Sequence, residues 1–357
     1  MQPQSPPRWN QYTGVLHVHT DRSGGGGTIE EIVEAAKSRS VDFVVVTDRG
    51  TRGHAWDGKE GWHDDVLILF GEEVAASHGH FLAFETNSDV GPDLGTEAAL
   101  EEVHRQVGVA VSVHAQLAER YPTIAPSCHL DFKHADAIEI WSFYDEFLAS
   151  VDGRTVMQSS SRPDRVIKGP SRKILNRWDV ELGRRRAPVV GGLNVAPRKA
   201  PLLEWRTLFP YKTAFATVQT IILARELPRI PARARDMVWE ALREGRSFIA
   251  NASINPPRGF QFYWVDRRGK QRFMGEDAEF ESGGRLQVIL PTEAEVAIRH
   301  NGQPLFWGTG EEIDFPAPTP GSYRVEVRLN RRLWILSNAI RLLEDNRPVQ
   351  PTVSDFT

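Results

Sequence analysis

The stretch Gly14-Val15-Leu16-His17-Val18-His19-Thr20, answered by Val44-Val45-Val46-Thr47-Asp48-Arg49, decides how this chain is read. A short apolar strand carries two histidines two positions apart, and side chains at that spacing share one face of a strand. A second apolar strand then ends on an acid. Neutral imidazole is the commonest metal ligand. His-x-His at a strand end is therefore a natural start for a metal site, and further ligands are expected downstream.

Working outward, apolar β-branched segments alternate with helical patterns to about residue 250. The strand candidates are 15–19, 43–47, 66–70, 81–84, 110–113, 137–140, 189–190 and 214–222. Thr28-Ile29-Glu30-Glu31 reads as a capping box opening a helix, and 98–107, 172–185 and 232–243 are further helices. Strands alternating with helices predict parallel strands with crossover connections. The expected fold is α/β, a closed or nearly closed barrel, with a doubly wound sheet as the alternative. Past Pro256-Pro257 the texture changes: Tyr323, Val325, Val327 and Leu329 alternate with charged residues, and Asn301-Gly302 sits where a two-residue hairpin turn belongs. The expected organisation is an N-terminal tail over 1–13, a barrel over 14–257, a small antiparallel β-sandwich over 258–345 and a C-terminal tail over 346–357.

Parallel barrels place reactive groups at the C-terminal ends of their strands. Successive strand ends supply His17 and His19, Asp48, Glu73, His80, His114, Glu139 and Asn194. Four histidines and several oxygen ligands in that order make a much stronger signal than any one of them. Asp48 and Glu139 are expected to orient ligands or substrate, since carboxylates behind metal ligands commonly fix imidazole tautomers. Trp141, beside Glu139, is a candidate pocket wall, although a large aromatic is more often core.

The order of these motifs resembles the PHP (polymerase and histidinol phosphatase) metal-dependent hydrolases, a distorted (β/α)7 TIM-like barrel. The sandwich, closing on Trp334-Ile335-Leu336-Ser337-Asn338-Ala339-Ile340, resembles the C-terminal part of the CehA/McbA-type branch. The resemblance implies that His17, His19 and Glu73 hold one ion, completed by Asn194, and that Glu73 bridges to a second ion on His80 and His114. Asn194 stands in Gly192-Leu193-Asn194-Val195-Ala196, where the family carries an aspartate; an amide oxygen still ligates, but without the charge. The ligands of the family's third ion are replaced together by Gly24, Arg49 and Ala196.

A guanidinium has donors only and cannot ligate a cation. The expectation is that Arg49 puts a fixed positive charge where the third ion would sit and grips an anionic oxygen of the substrate; its bland reading is a simple pair with Asp48 or another acid. The implied function is a metal-dependent hydrolase, foremost a phosphoesterase acting through a metal-activated hydroxide, with Glu73, Arg49 and Asp48 in the catalytic machinery. A carbamate, amide or ester hydrolase, and a degenerate relative that binds an anion without turnover, are the alternatives. Imidazole and carboxylate ligation suits zinc, manganese or iron, as two ions or as one at Glu73, His80 and His114.

The bulk composition excludes little and fits this. The 357 residues, 40% hydrophobic and with net charge −4, do not suggest general electrostatic capture of nucleic acid, which remains the less favoured partner beside a small anionic substrate. The one cysteine, Cys128, allows no intrachain disulfide, and no apolar run approaches the ~20 residues that span a bilayer. With no secretory pattern at the start, the expected location is the cytoplasm. Gly24–Gly27 lacks the Lys-Ser/Thr ending of a phosphate loop and reads as a plain connection. The basic run 162–186 reads as a solvated helix rather than a polyanion track. His78, two before His80, would replace it if the register slipped by two.

Overall fold

The computed structural model describes residues 9–53, 57–77, 79–91, 94–121, 131–152, 159–160, 162–200 and 203–344. His54, Trp56, His78, Cys128, His129 and the tail 346–357 lie outside the described residues.

Eight strands build the first half: β1 (Asn10–Val18), β2 (Phe43–Arg49), β3 (Gly61–His63), β4 (Val66–Ala76), β5 (Gly79–Phe84), β6 (Val109–Ser112), β7 (Ala137–Ser142) and β8 (Val189–Gly192). β1 and β2, β2 and β4, β6 and β7, and β7 and β8 pair in parallel. β5 departs from the expected all-parallel pattern, being antiparallel to both β4 and β6. Ala76 of β4 pairs with Gly79 of β5, and the two positions between them are too few for a crossover helix, so a hairpin forms. The chain after β8 returns to β1: Leu193 N donates to Leu16 O (2.9 Å), Val195 N to His17 O (3.2 Å) and His19 N to Val195 O (3.0 Å).

The other edge of β1 extends the sheet. After β9 (Arg198–Ala200) and β10 (Leu203–Leu208), a separate two-stranded pair, come β11 (Val218–Ala224) and β12 (Ser247–Asn251). β1 pairs antiparallel with β11 through residues 10–14, and β11 with β12. Asn10 to Thr13 thus belong to a strand, not to a loose tail. The strand expected over 214–222 starts later, because Pro210 opens a short helix, Tyr211–Ala214.

The remainder is antiparallel but for one pairing: β13 (Gln261–Val265), β14 (Gln271–Phe273), β15 (Asp277–Glu279), β16 (Arg285–His300), β17 (Gln303–Pro316), β18 (Gly321–Leu329), β19 (Arg332–Ser337) and β20 (Ile340–Leu343), with β15 and β20 parallel. Asn301 and Gly302 form the β16–β17 turn with φ of 47° and 79°, the left-handed pair that a tight hairpin demands. β19 pairs with β12, so the sheets of the two halves are continuous.

Alternation sorts the strand residues. Phe43 and Val45, Leu67 and Leu69, and Val111 and Val190 share one core; Val44, Val46, Ile68, Ile138 and Val189 share another with the helices Ile29–Lys37 and Arg172–Arg184. The first helix carries the expected capping box, Thr28 N bonding Glu31 Oε2 (2.9 Å) and Glu31 N bonding Thr28 Oγ1 (3.3 Å). Its own acid thus satisfies that N-terminus. Among the described residues, no helix is long and apolar enough to cross a membrane.

Candidate metal centre

Strand register brings the site together. β2 and β4 pair in parallel with Arg49 opposite Glu73 and Asp48 opposite Glu72. Glu73 points to the cluster described below, whereas Glu72 turns to the other face and accepts from Val90 N (2.8 Å). Burial, and then the Asp89 charge, push the Glu72 carboxyl up to about 7 against the opposing Val90 bond.

The histidines of β1 converge for a different reason from the expected alternation. The β1–β2 register shifts between Val15 and Val18, and His17 has φ of 61°, a bulge with a left-handed residue. Val15 and Val18 therefore lie in the same core while Leu16 lies in the other. The rings of His17 and His19 end 5.2 Å apart, centroid to centroid. His114 (φ 62°) and Asn194 (φ 45°) are left-handed too. Such conformations cost of order 1–3 kcal/mol each for residues other than glycine and cluster where function holds them.

Glu73 is the hub. Its Oε2 lies 3.2 Å from His19 Nε2 and 3.7 Å from His17 Nε2. Its Oε1 lies 3.1 Å from His80 Nδ1 and 3.3 Å from His114 Nε2. Two groups result, His17–His19–Glu73 and Glu73–His80–His114, each with ligand atoms within 4.8 Å of one another. All but His80 are buried.

Acids behind the ring nitrogens set the tautomers. His17 Nδ1 faces Glu139 Oε2 at 2.8 Å, and His114 Nδ1 faces Asp145 Oδ2 at 2.9 Å. Each carboxylate accepts a hydrogen bond from Nδ1 and turns Nε2 to the centre, the arrangement usual behind ligating histidines. Gly192 makes room for this: a Cβ there would stand 1.8 Å from Glu139 Oε2. Asn194 Nδ2 donates to Asp145 Oδ1 (2.6 Å), which turns Asn194 Oδ1 toward His19 Nε2 (3.3 Å). Asp48 is spent on the loop after β1. It accepts from Thr20 N (2.7 Å), Thr20 Oγ1 (2.6 Å) and Ser23 Oγ (2.5 Å), and Ser23 Oγ faces His19 Nδ1 at 3.4 Å. That hydroxyl donates to Asp48 and so faces His19 Nδ1 with a lone pair. Tyr211 donates to His19 O (2.5 Å) and fixes the same loop.

The electrostatics ask for a cation. Burial opposes charge on His17, yet Glu139 and then Glu73 outweigh it and push its pKa up to about 9. His114 is raised well above the ordinary imidazole value, Asp145 and Glu73 overcoming burial. Burial and the neighbouring His17 charge lower His19 to about 3. Glu73 lies well below the carboxylate range despite burial, because His114, His17 and His80 bond to it. His17 Nε2 and Glu73 Oε2 are buried without a hydrogen bond of their own. Nitrogen and carboxylate donors of this kind fit a divalent transition metal, whose binding would displace the imidazolium protons.

Of the expected site residues, His17, His19, Glu73, His80, His114, Asn194, Arg49 and Glu139 come together, and Asp48 stands one shell behind. Trp141 does not join them. The β7–β8 register shifts between Glu139 and Trp141, turning the indole into the helix-side core, where Nε1 donates to Glu146 Oε2 (2.8 Å). The residue missed from sequence is Asp145. The available signal was an acid in the first turn of the helix Phe143–Ser150, directly after a strand that ends at the site.

No family profile matches the chain. An uncharacterized protein of Methanocaldococcus jannaschii is 29% identical over 111 residues, 28% of this chain and 65% of that protein, so the chain spans under two thirds of that relative's length. A crystal structure of a two-domain protein from Bacteroides vulgatus, containing a predicted PHP-like metal-dependent phosphoesterase, aligns over 93% of this chain and 95% of that one, at 13% identity and a TM-score of 0.43.

Proposed function

We propose that the protein is a metal-dependent hydrolase of the PHP kind, with a distorted (β/α)7 barrel over 14–257, an accessory β-sandwich over 258–345 and a phosphoester as its substrate. One observation supports this most: a single buried carboxylate, Glu73, offers each oxygen to a different pair of imidazoles, two of them braced from behind by acids.

His17, His19, Glu73 and Asn194 would hold one ion, and Glu73, His80 and His114 another. When bound, zinc, manganese or iron supplies the Lewis acidity that brings the pKa of water near neutrality and polarises the oxygen under attack. The chain's own residues do the rest. Glu139 and Asp145 keep the protons of His17 and His114 on Nδ1, away from the reacting side. Asp48, through Thr20 and Ser23, holds the loop that aims His19. Arg49 (36% exposed) and His80 (30%) form the solvent-facing side of the cluster. A guanidinium there favours an anionic oxygen, which is why a phosphoester is preferred to an amide or carbamate.

The second reading, anion binding without turnover, is favoured by one contact, that of Arg49 with Glu73 (3.0 Å). Protein purified without chelator is expected to carry a transition metal and to hydrolyse an aryl phosphate with added Mn²⁺ or Zn²⁺. Absence of both metal and turnover overturns the hydrolase. Glu73→Ala separates the readings: it abolishes turnover by the hydrolase and leaves anion binding by the degenerate protein largely intact.

A further inference from the structure

The resemblance implies that Arg49 stands at a third ion position; in the structure its guanidinium lies against Glu73 and His19. Its Nε lies 3.0 Å from Glu73 Oε2, its Nη2 lies 3.4 Å from His19 Nε2, and its Nη1 donates to Ser23 O (3.1 Å). The strand register dictates this approach, because Arg49 and Glu73 are directly opposed in neighbouring parallel strands. We infer that the guanidinium of Arg49 is the resident cation of the His17–His19–Glu73 half of the cluster, and that the protein takes one divalent ion, at Glu73, His80 and His114. This rests on the metal-centre reading above and narrows it.

Three observations carry it. First, Glu73 Oε2 and Asn194 Oδ1 lie 3.2 and 3.3 Å from His19 Nε2, and the space an ion would share with these atoms is already approached by two edges of Arg49, Nε at 3.0 Å from Glu73 Oε2 and Nη2 at 3.4 Å from His19 Nε2. Second, the arginine's closest approach to Glu73 is through Oε2, the oxygen of that half, while Oε1 faces His80 and His114. Third, the charges match. Glu73, Glu139 and Asp145 touch the imidazoles as three carboxylates. One divalent ion and one guanidinium balance them, whereas a second ion leaves two positive charges uncompensated before substrate arrives.

The test is stoichiometry rather than turnover. Demetallated protein is reloaded with Co²⁺ or Mn²⁺, excess ion is removed, and bound metal is counted by elemental analysis, with spin coupling read by electron paramagnetic resonance. The expected result is one uncoupled ion per chain, rising to two coupled ions in Arg49→Met. Two ions in the unaltered protein, or one in both, overturn the role of Arg49 and leave the metal centre standing. No ion in either defeats the metal centre and this inference together. A second pair of variants locates the ion whether or not Arg49→Met folds: His80→Ala is expected to lose it, with affinity at least tenfold weaker, and His19→Ala to keep it. The reverse pattern overturns the inference.

Discussion

Two clusters of buried charge among the described residues are built on opposite principles. At the strand ends, imidazoles crowd around Glu73. Between the helix Arg172–Arg184 and β18, Arg324 instead donates Nε and Nη2 to the two oxygens of Asp179 (2.6 and 2.8 Å) and Nη1 to Glu326 (2.8 Å), with Trp178 beneath it. Arg172 and Arg299 also bond Glu326 Oε1, at 2.9 and 3.2 Å. No side-chain atom of Arg324, Asp179 or Glu326 is left buried without a hydrogen bond, and none of the three residues has a left-handed backbone. The Glu73 cluster leaves His17 Nε2, Glu73 Oε2 and Glu139 Oε1 without one and sits on three left-handed residues. A charge cluster that completes itself is structure. One that converges and stays incomplete is waiting for something.

Exchanging the roles would break that contrast. The largest effect is expected from Glu73→Ala: turnover falls at least ~10³-fold, because the carboxylate common to both groups of ligands is lost, while the melting temperature moves by no more than a few degrees. His17 and His114 keep their acids, and Arg49 turns to water. A collapse of the melting temperature in Glu73→Ala would make the first cluster structural as well.

Arg324→Ala should do the converse. Removing one partner of a buried, fully bonded pair costs about 3–5 kcal/mol, because Asp179 loses both its bonds from Arg324 and Glu326 one of three. Denaturant unfolding reads the loss. Metal content should stay unchanged, since the two clusters share no residue. An Arg324→Ala protein as stable as the original would mean that water already satisfies Asp179.

What the sequence told about these clusters differs for a physical reason. The ligands were legible because strands end at a common rim, and the resemblance, rather than the strand period, picked Glu73 over Glu72. Apart from the β4–β5 hairpin, departures came where pairing is non-local. The bulge at His17 arises where β1 passes from β11 to the chain after β8, partners some two hundred residues away, and nothing in Val15-Leu16-His17-Val18 announces it. The shift at Trp141 is the same kind of event, and it turned a supposed pocket wall into core. Asp145 was hidden because helix residues at a strand end do not follow the strand's period. Much of the basic run 162–186 proved to be fastenings. Arg172 holds Glu326, Arg185 donates to Phe132 O and Ala135 O (both 2.7 Å), and Arg186 pairs with Asp277.

The smallest effect is a pH dependence confined to the second cluster. Burial raises the Glu326 carboxyl, but Arg324 and then Arg299 outweigh burial and hold it below its ordinary 4.5. A carboxyl depressed in the folded state contributes stability that is complete above its unfolded value and is lost as pH falls through its folded value. Each unit of lowering is worth about 1.4 kcal/mol. Glu326→Gln removes this contribution at neutral pH, where three arginines lose their charged partner, but has less to remove once acid has protonated Glu326. The gap in melting temperature between the two proteins is therefore expected to be constant from pH 7 to about 5 and to narrow below 4.5. A gap that stays constant down to pH 3 would mean that Glu326 acts by shape and neutral hydrogen bonding alone, and the second cluster would no longer count as a charge cluster.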